Sequence, residues 1–191
     1  MDFWVTCIVI YIFLVIATFY PTLKAIFTKV KLNPGAETFQ DSLYFSDAEK
    51  ERLKQNFNRI EGTLKFWKNQ AEKYKMFHYY CLCWTTVVSI IIPVVAQYID
   101  GTNESKLLLT FMSTHLAILL AFYRGFKVDN NYKAFRNGES EFYDTYRRML
   151  DKPKAFGENS EEQINKYFED VESLRKKIRN LEVDNFPDLR S

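Results

Sequence analysis

The residues of this chain that could do chemistry are polar side chains set inside long apolar runs. Thr85, Ser89, Pro93 and Gln97 recur at every fourth position within Met76–Ile99, a run of 24 residues with no Asp, Glu, Lys or Arg. Spacing of four winds slowly around a helix, so these residues form one stripe. Thr110, Thr114 and Ala117 fall together within Leu107–Tyr123, 17 residues without a charge, with Ser113 and His115 beside them. Polar groups at membrane depth usually face protein or water, not lipid. Two roles for the stripe stay open. Small and hydroxyl residues let helices approach and hydrogen-bond, which is the commoner use. Alternatively, Thr85, Ser89, Gln97, Thr110, Thr114 and His115 line a water-filled path between copies of the chain. His115 divides in the same way. It is either a titratable pore residue, changing charge between about pH 5 and 8, or a neutral imidazole bonded to a neighbour.

Two basic clusters form a second candidate site. Arg147, Arg148, Lys152 and Lys154 make one, and Arg175, Lys176, Lys177 and Arg179 the other. They could bind an anionic messenger or lipid headgroups, although a solvated helix face is the commoner origin of such clusters. Other chemistry lacks its parts. Cys7, Cys81 and Cys83 all lie in apolar runs. Cys81 and Cys83 point to different sides of a helix, so small buried hydrophobes are their default role. Neither a Gly-rich phosphate loop nor a His-Glu-x-x-His motif is present, and the two histidines, His78 and His115, both sit in apolar runs. The expectation is a non-enzyme with no metal and no cofactor.

The elements that must position these groups follow from the segregation of charge. Mean hydropathy over all 191 residues is −0.27, but that average mixes three apolar blocks with the charged stretches between them. A bilayer core of roughly 30 Å takes about 20 apolar helical residues. Met76–Ile99 meets that length, and Leu107–Tyr123 meets it at the lower limit. Phe3–Leu23 supplies a third uncharged run of 21 residues. It begins Met1-Asp2 and is followed by Lys24, Lys29 and Lys31, which reads as a retained anchor rather than a cleaved signal. Pro21 is expected to kink or end this span. Backbone groups in hydrocarbon must be satisfied internally, so all three should be helices.

Asn33-Pro34-Gly35 breaks the chain, and Ala36–Tyr44 reads as a loop. Ser46 then opens a helix, with Glu49 placed to complete a capping box. Leu53, Phe57, Ile60, Leu64, Trp67, Ala71 and Tyr74 follow at gaps of 4, 3, 4, 3, 4 and 3, the spacing of a helix packed along one seam. Nothing between Tyr74 and Met76 stops it. One rod from Ser46 to Tyr98, about 80 Å long at 1.5 Å per residue, is therefore expected, with Gly62 its weak point. A second seam runs through Tyr132, Phe135, Glu139, Phe142, Tyr146, Met149 and Leu150, ended by Pro153 and Gly157. Ser160, with Gln163, should cap a last helix whose seam is Ile164, Tyr167, Phe168, Val171, Leu174, Ile178 and Leu181. The tail from Asp184 has little to bury.

The expected organisation is an all-α membrane protein. A transmembrane helix at 1–27 is followed by a cytosolic loop at 28–46 and a cytosolic helix at 47–75. A span at 76–99, an extracytoplasmic turn at 100–106 and a span at 107–124 form the hairpin, and 125–191 is a cytosolic helical region. Basic residues set the orientation. They follow the first span, precede the second (Lys68, Lys73, Lys75) and follow the third (Arg124, Lys127, Lys133), whereas the turn holds Asp100 and Glu104 against Lys106. The positive-inside rule puts the N-terminus and the turn outside and the bulk of the polar part in the cytoplasm.

Trp67 and Tyr79-Tyr80 precede a span ending Ile91-Ile92-Pro93-Val94-Val95-Ala96. A short turn and second span follow, then Tyr132-x-x-Phe135-Arg136-x-x-Glu139 and a helix ending Arg179-Asn180-Leu181-Glu182. This order, from about Arg59 to Glu182, resembles the SLATT family, the SMODS- and SLOG-associating two-transmembrane effectors of bacterial conflict systems. The resemblance implies an effector of antiviral defence in the bacterial inner membrane. It would assemble with copies of itself into a ring in membrane lipid and breach that membrane when phage infection is sensed. Implied partners are a defence-system sensor, a nucleotide messenger or a CRISPR effector. The family brings no catalytic residue. Arg136 and Glu139 match its arginine–glutamate spacing, for which an i, i+3 ion pair is a sufficient structural account. Phe3–Leu23 departs from a two-span core. That addition also resembles a CRISPR-associated accessory class of small membrane proteins described as HEPN-like, but no Arg here stands shortly before a His as a nuclease of that type requires. The competing reading is a non-conducting scaffold or sensor whose cytosolic helices recruit a partner.

Overall fold

A computed structural model describes residues 2–32 and 38–185. The break expected at Asn33-Pro34-Gly35, the first residues of the following loop and the end of the tail lie outside the described residues. Among the described residues there are five α-helices: α1 (Phe3–Phe27), α2 (Asp47–Gln97), α3 (Asn103–Gly125), α4 (Val128–Asp151) and α5 (Ser160–Asp184). Two single 3-10 turns, Phe39–Asp41 and Pro153–Ala155, complete the order, and no strand occurs among the described residues. Two compact units result. One is built from Met1–Thr28 with Glu72–Asp129, the other from Lys29–Ala71 with Asn130–Phe186.

Helix α2 runs unbroken for 51 residues. The reach-back half of the expected capping box holds its start: a Glu49 carboxylate oxygen accepts from the Ser46 backbone N–H at 2.7 Å and from its hydroxyl at 2.8 Å. These bonds, the backbone one first, lower the pKa of Glu49. Pro93 lies inside α2 and Pro21 inside α1, and neither ends its helix. Helix α1 continues through Phe27, because Pro removes one hydrogen bond while the apolar run around it keeps the rest of the ladder in place.

In the apolar unit, α1, the second half of α2 and α3 pack side by side. Val88, Leu108 and Met112 are buried together with Trp4, Cys7, Ile8 and Tyr11 against them, and Tyr80, Cys81 and Leu119 form a second cluster with Phe19, Phe77 and Trp84. Trp4 Nε1 donates to Asp100 Oδ2 at 3.0 Å, so α1 starts at the end of the unit where α2 turns into α3. That turn is shorter than the charge pattern implied. Asp100 accepts from the Thr102 hydroxyl at 2.7 Å and from its N–H at 3.1 Å, which holds its carboxyl far below the usual carboxylate range. The Thr102 hydroxyl in turn accepts from Ser105 N–H as N-cap. Asn103–Lys106, expected in the turn, thus form the first turn of α3.

In the polar unit the seams close on one another. Leu53, Ile60, Leu64, Trp67 and Ala71 of α2 are buried, as are Phe135, Phe142, Tyr146 and Met149 of α4 and Ile164, Tyr167, Val171, Leu174 and Ile178 of α5. Gly138 allows this approach: a Cβ there would lie 2.8 Å from Ile178 Cγ1 and 3.3 Å from Trp67 Cε3. Two features differ from the sequence reading. The stretch expected as a plain loop carries the 3-10 turn Phe39–Asp41 and sends Phe39 and Phe45 into the core. The Phe39 ring meets Tyr146 at 4.5 Å and Tyr167 at 5.8 Å. The cap of α5 is Asn159 rather than Ser160. Its side-chain oxygen accepts from Glu162 N–H at 3.0 Å, while Gln163 donates back to the Gly157 carbonyl.

Candidate functional site: the polar groups of the three apolar helices

The polar residues of α1, the second half of α2 and α3 fall into an inward set and an outward set. The inward set centres on His115. Tyr11 Oη lies 2.7 Å from its Nδ1 and Tyr80 Oη 3.5 Å from its Nε2. Tyr80 donates its own proton to the Val15 carbonyl at 3.4 Å. The rings of Tyr11 and Trp84 stand edgewise to the imidazole, 5.8 and 5.4 Å away. Trp84 Nε1 donates to the Thr18 hydroxyl at 2.8 Å, and that hydroxyl donates to the Leu14 carbonyl at 2.6 Å. His78 pairs with the Tyr123 hydroxyl at 2.8 Å. Each polar tip in this set finds a partner inside one chain. The residues that hold His115 are Tyr11 and Tyr80, 104 and 35 positions away.

The outward set holds most of the stripe. Ser89, Pro93 and Gln97 on α2, and Thr110, Ser113, Thr114 and Ala117 on α3, are all exposed. On α3 they lie about opposite Leu108, Met112 and Leu119 at 100° per residue. Thr110 returns its hydroxyl proton to the Lys106 carbonyl at 2.9 Å, and the half-buried Thr85 donates to Leu82. Thus His115 does not share a surface with Ser89, Gln97, Thr110 and Thr114. It belongs to the packing between α1, α2 and α3, whereas the others face out of the chain.

The basic clusters are divided as well. Arg147 pairs with Asp144 at 2.6 Å, Arg148 with Asp170 at 3.5 Å, Arg175 with Glu172 at 2.8 Å and Lys177 with Glu141 at 2.9 Å. Arg148 also lies over the Phe156 ring, 4.6 Å from its centroid. Lys152, Lys154, Lys176 and Arg179 are exposed. The Arg136–Glu139 pair forms at 2.8 Å, and Lys68 reaches the same carboxylate from α2 at 3.7 Å. That second contact makes the pair a tie between helices as well as a local one. Nearby, the Tyr143 hydroxyl is buried with no hydrogen-bond partner among the described residues. Burial first, then the charges of Glu139 and Glu61, push its pKa up. Among the described residues no group of three His, Cys, Asp or Glu side chains is placed to hold a metal ion.

Comparison with family models, with curated proteins and with solved structures yields no match to this chain.

Proposed function

We propose that the chain is a pore-forming effector of bacterial antiviral defence. Several copies assemble in the inner membrane, with the N-terminus and the α2–α3 turn outside, and conduct when triggered. The observation that carries the reading is the outward stripe. Ser89, Gln97, Thr110 and Thr114 stand on exposed faces of helices long and apolar enough to span a membrane. Hydroxyl and amide groups are costly against lipid, so those faces need protein or water. Burial supports assembly. Only 6%, 17% and 22% of the apolar windows of α1, α2 and α3 are buried within one chain. A ring of copies covers part of the remainder and encloses what one hairpin cannot. The order of motifs that resembles the SLATT effectors supplies the defence role and the class of trigger, a sensor, a nucleotide messenger or a CRISPR effector.

The test is current through the purified chain in planar bilayers. Conduction is expected, and Ser89→Leu and Gln97→Leu should abolish it by dewetting a narrow path while leaving oligomer size unchanged. Absence of current from the parent under every trigger would favour the non-conducting scaffold. Orientation has its own check. A cysteine at Thr102 should react with an impermeant reagent on intact cells, and one at Asn159 should not. Equal labelling would overturn the topology.

A further inference from the structure

A groove of about 380 Å³ lies between α1 and α2 in the apolar unit, walled by Pro21, Thr22, Met76, Tyr79, Cys83 and Val87. Its volume falls within the roughly 300–1,000 Å³ of ligand sites. Of the polar groups that border it, three are already engaged. Thr18 takes the Trp84 N–H and gives its proton to Leu14, and Tyr80 donates to Val15. Apart from the hydroxyls of Thr22 and Tyr79 and the thiol of Cys83, what remains for an occupant is hydrocarbon wall.

One end of the groove is charged. Pro21 and Met76 sit toward the end of the unit opposite Asp100, and Lys24 lies one residue short of a turn beyond Pro21 along α1. Along α2, Lys73 lies a similar distance before Met76. At 100° per residue each lysine falls within about 60° of the nearest wall residue on its own helix. Glu72 shares this end and is held by Lys75 at 3.5 Å. Lys24 and Lys73 have no carboxylate partner among the described residues. Their stems can run along apolar surface while the ammonium groups reach the interface.

We infer that this groove is a site for an anionic phospholipid, one acyl chain lying between α1 and α2 and the phosphate held by Lys24 and Lys73. A phospholipid satisfies both ends, and basic pockets between membrane helices commonly take such headgroups. The inference rests on α1–α3 lying in a bilayer and is independent of conduction.

The experiment is native mass spectrometry of the full chain released from nanodiscs of phosphatidylcholine with phosphatidylglycerol. The parent should retain phosphatidylglycerol in preference to phosphatidylcholine. Lys24→Gln with Lys73→Gln should lower that preference about 30-fold, at about 1 kcal/mol per surface lysine. Cys83→Trp, which fills the groove at an exposed position, should remove both lipids while helix content and size are unchanged. Retention of phosphatidylglycerol unaffected by the lysine pair or by Cys83→Trp would overturn the site. So would a copy-to-copy crosslink through Cys83 that persists at any lipid content, because a second chain would then occupy the groove.

Discussion

Residues 47–71 and 76–97 belong to the same helix, yet they sort their side chains in different ways. In the first stretch the buried positions are Leu53, Ile60, Leu64, Trp67 and Ala71, and the exposed ones include Lys54, Arg59 and Lys65. Seam against solvent accounts for these choices; the large apolar exception is Phe66, exposed but meeting the Phe135 ring edgewise at 5.7 Å. In the second stretch few residues are buried, among them Tyr80, Cys81 and Val88, while Leu82, Val87, Ile90, Ile91 and Val94 are exposed. Exposed apolar area of that extent marks a surface that something else covers. Burial within one chain therefore identifies the core of the polar unit but only part of the packing of the apolar one. In the apolar unit, the informative residues are the exposed polar ones.

The largest break in this contrast comes from truncation. Trp67→Ala removes a buried ring from the polar seam and should cost about 3–5 kcal/mol, seen as loss of expression or of a cooperative melt. Ile90→Ala, at a residue 65% exposed, should leave the melt in detergent nearly unchanged. Equal loss from both would mean that the two stretches are packed alike. Next is overpacking. Gly138→Val brings new carbons against Ile178 and Trp67 and should cost about 1–3 kcal/mol, partly recovered when combined with Ile178→Ala. Additive losses would show that the close approach there is not the cause.

A smaller effect separates the inward from the outward polar set. Tyr11→Phe deprives His115 of its shortest hydrogen bond and should cost about 0.6 kcal/mol, at most about 1.7, as hydrogen bonds between membrane helices do. Thr114→Val, on the outward face, should not alter the stability of the isolated chain. Thermal shift in a single detergent compares them. Smallest is the start of α2. The pKa of Glu49 is lowered by its bonds from Ser46, so its contribution is full above the ordinary Glu value of about 4.3 and fades as pH falls through the lowered one. Glu49→Gln should therefore be less stable than the parent at pH 7 and equal to it once the parent carboxylate is protonated. A difference that grows toward acid would contradict the cap.

How much of this was legible follows from the range of the interactions. The long helix could be read because its signal is local: the gaps from Leu53 to Tyr74, the Ser46–Glu49 cap and the lack of a breaker before Met76. Leu64, Trp67, Phe142, Tyr146, Leu174 and Ile178, expected in the seams, are all buried. Helix α3 starts earlier than the charge pattern implies because charge-free length measures the apolar run, not the helix, and Thr102 caps five residues before that run begins. Asn159 and Ser160 are both good cap formers, and only the backbone decides between neighbours. Tyr11 and Tyr80 around His115 carried one usable signal, that a tyrosine hydroxyl at span depth needs a partner. Which partner it takes depends on tertiary packing. The same holds for Lys68 at Glu139 and for Phe39, whose place in the core nothing in its own loop announces.

The most direct measurement is of neighbouring positions that are equally outside the chain but chemically opposed. Ser89 and Val87 are both exposed, one polar and one apolar, and they lie about 160° apart on α2 at 100° per residue. With Cys7, Cys81 and Cys83 replaced by alanine, Ser89→Cys and Val87→Cys can be treated with a small water-soluble thiol reagent while current is recorded across a bilayer. Rapid modification and block are expected at position 89 and none at 87, because one faces water enclosed by several copies and the other faces lipid. Equal rates at the two positions, or block only at 87, would contradict the outward stripe as the conducting face.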